Sequence, residues 1–253
     1  MVRVTACTNQ KGGVGKTTTV VNLAAYLTIS GSRTLVVDLD PQGNATSGLG
    51  VDRRQLRHSV YDALIDGASI EEVVVATPVD GLDLVPSAPA LSGAEIELVN
   101  LSARERRLAA SLGSLNGRYE RVLIDCPPSL GLLTVNALAA ADGVLIPIQT
   151  EYYALEGLSQ LVNTIRLVRE SLNPRLEIDG VLLTMYDART NLSSQVAREV
   201  RRHMNGTVFE TIVPRSVRLS EAPSHGLPIA LYDPASRGGE AYQQLAGEVA
   251  ARG

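Results

Sequence analysis

Along the chain, short aliphatic runs alternate with stretches whose apolar residues return every three or four positions. Residues 2–7, 34–40, 82–85, 121–126, 143–148, 178–184 and 209–213 are the runs. They are mostly continuous rather than alternating, the pattern of strands covered on both faces of a parallel sheet. Residues 19–30 carry Val20, Leu23, Ala24 and Leu27 at helical spacing, and residues 151–172 carry Leu158, Leu161, Ile165 and Val168 likewise. Further helices are predicted over 94–112, 132–141, 192–204 and 239–251, with short ones around 60–65 and 70–75. Residues 45–50 and 185–191 read as loops. Strand and helix alternate without linker or repeat, which predicts one α/β domain over 1–253, a doubly wound, mainly parallel sheet flanked by helices. A domain of this length buries roughly three quarters of its unfolded surface and needs no staples.

Between the first strand and the first helix stands Lys11-Gly12-Gly13-Val14-Gly15-Lys16-Thr17-Thr18. Strand, glycine-rich turn and helix start are the context of a phosphate-binding loop, whose backbone N–H groups converge on a polyphosphate. Lys16 would reach the terminal phosphates and the Thr17 hydroxyl would ligate Mg²⁺. The ordinary motif has a glycine where Gln10 sits, and here a second lysine, Lys11, opens the loop; this is the deviant Walker A variant. Lys11 and Lys16 are the only lysines, against 21 arginines elsewhere. A chain that otherwise uses arginine keeps two slim ammonium groups in one loop, where a planar guanidinium could not thread between amides and phosphate oxygens.

Acidic residues follow at the ends of later strands. Asp38 and Asp40 lie two apart and share a face at the C-terminal end of theirs, where ligands of open parallel sheets gather. A lone aspartate there is commonly a helix cap; a pair beside a phosphate loop points to a metal and water site. Asp125 ends three aliphatics and precedes Cys126-Pro127-Pro128, a Walker B strand whose carboxylate holds Mg²⁺ through water, followed by a rigid switch segment. ATP and Mg²⁺ are the cofactors this set implies.

Charge adds a surface. The net charge of −4 argues against a dedicated nucleic-acid binder, but it is uneven. Residues 61–103 hold eight carboxylates and no Lys or Arg, while residues 188–218 hold six arginines against Glu199 and Glu210. Such a basic patch on an acidic chain suits switchable DNA affinity. Cys7 and Cys126 fall in predicted core strands, so no disulfide is expected and the compartment is reducing. The first strand begins at residue 2 and no apolar run approaches the ~18 residues of a membrane span, so the expectation is a cytoplasmic protein. Tyr152 and Tyr153 read as packing rather than base-stacking residues.

The loop, the Asp38/Asp40 pair and Asp125 with Pro127-Pro128 resemble the ParA/MinD superfamily of ATPases. Residues 40–50 (DPQGNATSGLG), 151–157 (EYYALEG), 185–191 (MYDARTN) and 213–223 (VPRSVRLSEAP) narrow this to the chromosomal ParA/Soj partition family, nearly end to end. The chain looks like the short form, without the N-terminal helix-turn-helix extension of plasmid relatives. The resemblance implies an ATP-driven switch in which two subunits close around two ATP–Mg²⁺ as a homodimer. Lys11 would then cross to the partner's phosphates while Lys16 holds its own subunit's. Asp40 matches the residue that positions the attacking water, and Asp38 would support metal and loop. Pro214, Arg215 and Ser216 match the adenine-contacting segment, with Ser216 where asparagine is usual. Arg189 and Arg218 match arginines of a surface for nonspecific double-stranded DNA; the alternative is local ion pairing with Asp187 or Glu221. Leu227 stands where related chains often carry lysine. A ParB-type centromere-binding partner would stimulate hydrolysis and release the protein from the nucleoid; the 61–103 stretch is either its docking site or plain acidic surface.

Four rivals share the loop. A MinD-like membrane-cycling ATPase needs a basic amphipathic C-terminal helix, which residues 241–253 lack. An iron–sulfur reductase needs cluster-ligating cysteines. A metabolic ligase, or an ATPase positioning another cargo, would carry the same loop and differ in its DNA binding or its cargo.

Overall fold

The computed structural model describes residues 2–115, 117–151, 154–204 and 206–252. The chain opens with β1 (Arg3–Cys7), passes through the glycine loop into α1 (Lys16–Ile29), and returns as β2 (Thr34–Asp38). Next come α2 (Asn44–Gly48), a π-helical turn (Asp62–Asp66), α3 (Ile70–Val73), β3 (Val75–Ala76), β4 (Leu82–Val85), α4 (Leu91–Leu98) and α5 (Arg107–Leu112). β5 (Arg121–Asp125), α6 (Leu132–Ala140), β6 (Gly143–Gln149), α7 (Ala154–Ser171), β7 (Glu177–Tyr186), α8 (Asn191–His203) and β8 (Val208–Pro214) alternate regularly. The described chain closes with α9 (Val217–Glu221), a 3₁₀ turn (Ala222–His225), α10 (Ile229–Tyr232) and α11 (Arg237–Ala251).

Among the described residues eight strands form one sheet in the order β3-β4-β2-β5-β1-β6-β7-β8. Every neighbouring pair is parallel except β3 with β4. β1 leads away to β2 and β5 leads across β1 to β6, so the winding reverses beside β1. Ligands of open sheets bind at the carboxyl ends of strands at such a reversal. The register puts Cys7 opposite Asp125 and Asp125 opposite Asp38, so three strand ends finish level there. Each sheet face has its own apolar layer. One joins α4 to α8 against residues such as Val37, Ile124 and Ile146. The other joins α1 and α11 against Val36, Leu123 and Leu145. Two-sided burial is why the strands read as unbroken apolar runs.

Four expectations change. The helix over 94–112 is two helices separated by a turn in which Ala103 takes φ 50°. The turn is fixed by the buried side chain of Asn136, whose Nδ2 donates to the Arg104 carbonyl (2.7 Å) and whose Oδ1 accepts from the Leu108 N–H (3.1 Å). Residues 45–50, read as loop, form most of α2, because Asp38 Oδ2 accepts from both the Thr46 N–H (2.8 Å) and its hydroxyl (2.6 Å). Within 51–80 the chain also forms β3, an antiparallel edge strand of two residues that leaves no periodic signal. β7 continues through Tyr186, two residues into the predicted loop. Tyr152 and Tyr153 lie outside the described residues.

Candidate functional site

The loop after β1 takes its shape from its glycines. Gly13 (φ 74°) and Gly15 (φ 88°) hold left-handed backbone that side-chain-bearing residues avoid. Neighbouring strand ends fasten the loop. Thr184 Oγ1 on β7 donates to the Val14 carbonyl (2.8 Å), and the Lys11 N–H donates to Asn9 Oδ1 (3.0 Å). Asn9 Nδ2 in turn donates to the Pro147 carbonyl on β6 (2.8 Å). Behind the loop, Asn22 ties α1 to the C-terminal segment, donating to the Thr18 carbonyl (2.7 Å) and accepting from the Ile229 N–H (2.6 Å).

The two lysines differ in setting. Lys16 is buried and folds back, its Nζ donating to the Lys11 carbonyl at 3.1 Å. Lys11 faces outward, and its Nζ meets Glu151 Oε2 at 2.7 Å. One loop thus holds one ammonium against itself and presents another to the outside.

At the level strand ends the carboxylates gather. Thr17 Oγ1 donates to Asp125 Oδ2 (2.7 Å), while Asp125 Oδ1 is buried without a partner among the described residues. Asp38 Oδ1 accepts from the Asp40 N–H (3.2 Å). Asp40 Oδ1 accepts from the Gln42 N–H (2.9 Å), and the Asp40 carbonyl accepts from Ser87 Oγ (2.7 Å). Burial pushes Asp38 up to about 6, against its hydrogen bonds to Thr46. Burial and then the nearby Asp38 push Asp125 well above the carboxylate range, with Thr17 and Lys16 pulling the other way. Fully buried acids side by side, one with an idle oxygen, fit a site completed by a cation. Among the described residues no group of three or more His, Cys, Asp or Glu could hold a metal unaided. Mg²⁺ needs no such group, being bound through one or two carboxylates together with phosphates and water.

Beside the loop a cleft of about 220 Å³ is lined by Gly15, Thr18, Met185, Pro214, Arg215 and Ser216, among others. The expected base-contacting segment therefore meets the phosphate loop. Met185 takes φ 50° there, and the Arg215 N–H donates to the Tyr186 carbonyl (3.2 Å). The expected DNA residues do not line this cleft, and each carries the ion pair weighed as the alternative. Arg189, 88% exposed, forks onto Asp187 (2.9 and 2.8 Å), and Arg218 meets Glu221 (3.0 Å) and Asp233 (3.3 Å). Arg189 holds the Asp187 carboxyl down at about 2. In the acidic stretch, Asp62, Asp83 and Glu97 accept from Ser59, Tyr119 and Tyr61, leaving Asp66, Glu71, Glu72 and Asp80 exposed.

Comparison with known proteins now decides the family. A family model described as an AAA domain matches residues 2–178. The sporulation initiation inhibitor protein Soj of Bacillus subtilis is 59% identical over the full length of both chains. The chromosome partitioning protein ParA of Myxococcus xanthus is 56% identical, covering 99% of this chain and 88% of its own. The chain belongs to the ParA/Soj family of chromosome-partitioning proteins. Among solved structures, a Mycobacterium smegmatis protein described as a cobyrinic acid a,c-diamide synthase, with bound ADP and magnesium, is 40% identical. It has a TM-score of 0.86 and covers 98% of this chain and 93% of its own. The phosphate loop of this ParA/Soj chain was plain from the sequence. Asn9, Thr46, Glu151 and Thr184 were not, because their roles arise where β2, β6 and β7 end beside the loop; only Thr46 and Glu151 lay in stretches that carried the family likeness.

Proposed function

We propose that this ParA/Soj chain is an ATP-driven switch of chromosome partition, cytoplasmic and nucleoid-associated. Two copies close around two ATP–Mg²⁺, bind double-stranded DNA without sequence preference, and let go after hydrolysis stimulated by a ParB-type partner. The observation that carries this reading is the division between the two lysines: Lys16 buried in its own loop, Lys11 turned outward.

In the homodimer the backbone of residues 11–18 cradles the phosphates, Lys16 serves its own subunit's nucleotide and Lys11 the partner's. Pro214, Arg215 and Ser216 flank the base. Magnesium, when bound, neutralises phosphate charge; Thr17, Asp125 and, behind them, Asp38 are the residues that would hold it. Asp40 is fixed through Oδ1 by Gln42, which leaves its other oxygen to orient the attacking water. Phosphoryl transfer is governed by charge neutralisation and positioning, so a lysine supplied by a second subunit gates it. Arg189 and Arg218 contact DNA phosphates; a few contacts per subunit are weak, and pairing two subunits multiplies them. The exposed acids Asp66, Glu71, Glu72 and Asp80 are the candidates for a basic partner segment. Among the described residues the apolar side of α11 packs into the core against α1 and β8, and no helix is long and apolar enough to cross a membrane.

The test is a DNA titration with ATP, ADP and no nucleotide, on wild type and on Arg189→Ala/Arg218→Ala. Binding is expected with ATP alone, lost in the double variant and falling steeply with salt. Equal binding in every nucleotide state would sink the switch. The Mycobacterium smegmatis protein favours a second reading, a metabolic ligase, which would show no nucleotide-dependent DNA binding at all. Asp40→Ala should trap an ATP-bound, DNA-bound dimer; a variant that stays monomeric with ATP removes Asp40 from the water.

A further inference from the structure

In the single chain Lys11 is already engaged. Its ammonium and the Glu151 carboxylate, 43% and 46% exposed, meet at 2.7 Å. Glu151 is held in turn, since its other oxygen accepts from Gln149 Nε2 and its N–H donates to the Gln149 carbonyl (2.8 Å). The Lys11 backbone is fixed from the same side through Asn9 and Pro147. The C-terminal end of β6 therefore grips both the loop and the ammonium at its tip, and among the described residues Glu151 is the sole carboxylate paired with Lys11.

We propose that Glu151 is a positioning residue that keeps Lys11 on its own subunit until a polyphosphate held by a second copy displaces it. This rests on reading Lys11 as the group that crosses between subunits. A half-exposed carboxylate, screened by water, holds an ammonium only weakly. A triphosphate carries more charge, and a closed interface between two copies excludes the water that weakens attraction outside. The exchange therefore runs toward phosphate only when nucleotide and a second subunit arrive together. Without Glu151, Lys11 would sweep solvent and meet phosphate at a lower nucleotide concentration.

The composition supplies the test. With two lysines in the whole chain, amine acylation reads Lys11 and Lys16 almost alone, and the buried Lys16 is an internal control. Wild type is compared with Glu151→Gln, which keeps the size and an oxygen for Gln149 while removing the charge. Acylation at each lysine is followed by peptide mass spectrometry, without nucleotide and with a non-hydrolysable ATP analogue plus magnesium. Dimer formation against analogue concentration is followed by light scattering. Without nucleotide, Lys11 of the variant should be acylated about two- to five-fold faster, with Lys16 unchanged, and the analogue concentration for half-dimerisation should fall by a similar factor. A purely structural effect would not move Lys11 alone. Equal Lys11 rates in the two proteins, with the analogue shielding Lys11 in both, overturn the role of Glu151 and leave the crossing lysine standing. A higher half-dimerisation point in the variant overturns the competition. Faster acylation with no shielding in either protein overturns the crossing lysine itself.

Discussion

At the scale of single residues, the buried acids set the chemistry. Asp38 keeps its proton in the folded chain up to about pH 6, because burial opposes its charge, whereas the unfolded chain releases it near 3.8. A raised carboxyl contributes stability that is fully present below the unfolded value and lost as pH rises through the folded one. Unfolding of the nucleotide-free protein in urea should therefore show wild type losing stability relative to Asp38→Asn between about pH 4 and pH 6, with a constant difference above that window. A difference sloping the other way would mean the carboxyl is held ionised. The same proton must leave before the site can take a cation, so magnesium-dependent nucleotide binding should strengthen as pH rises through that range. A Kd measured by calorimetry at several pH values checks it.

At the scale of elements, the turn between α4 and α5 is where local and distant forces can be separated. Ala103 sits in left-handed backbone, which costs a side-chain-bearing residue about 1–2 kcal/mol. Ala103→Gly removes that cost against a smaller loss of unfolded-chain entropy and should raise stability by about 0.5–1 kcal/mol in urea unfolding. Asn136→Ala leaves the Leu108 N–H and the Arg104 carbonyl without their buried partner and should cost about 1–3 kcal/mol. The same turn shows what the sequence hides. Residues 94–112 carry leucines at helical spacing and no proline, and the break is imposed by a side chain from α6, far along the chain. α2 is similar: Asn44-Ala45-Thr46-Ser47-Gly48 has little helical preference, and the carboxylate of Asp38 holds it. The strands were legible because both their faces are buried, and the loop because its glycines encode its backbone. Glu151, Asn9 and Thr184 were not, since only the assembled sheet brings the ends of β6 and β7 to that loop.

At the scale of the whole molecule, the proposed switch requires the nucleotide end and the Arg189/Arg218 surface to communicate. Asp187 stays ionised down to about pH 2 beside Arg189, so on the proposed reading it would compete with DNA phosphate at any working pH. Asp187→Asn should accordingly tighten ATP-dependent DNA binding several-fold, read by fluorescence anisotropy at fixed salt, and leave ADP-state binding absent. Tighter binding in both states would detach this surface from the nucleotide. The carboxyl end of β7 has a larger consequence. Thr184 holds the phosphate loop, Met185 borders the cleft proposed for the base and the Tyr186 carbonyl fixes the backbone of Arg215, all within three consecutive residues. A wrong ring in the cleft would push on the same short lever that aims the loop at its cargo. Selectivity among nucleobases would then be felt as tempo, with a mismatched nucleotide slowing the cycle even where it still binds.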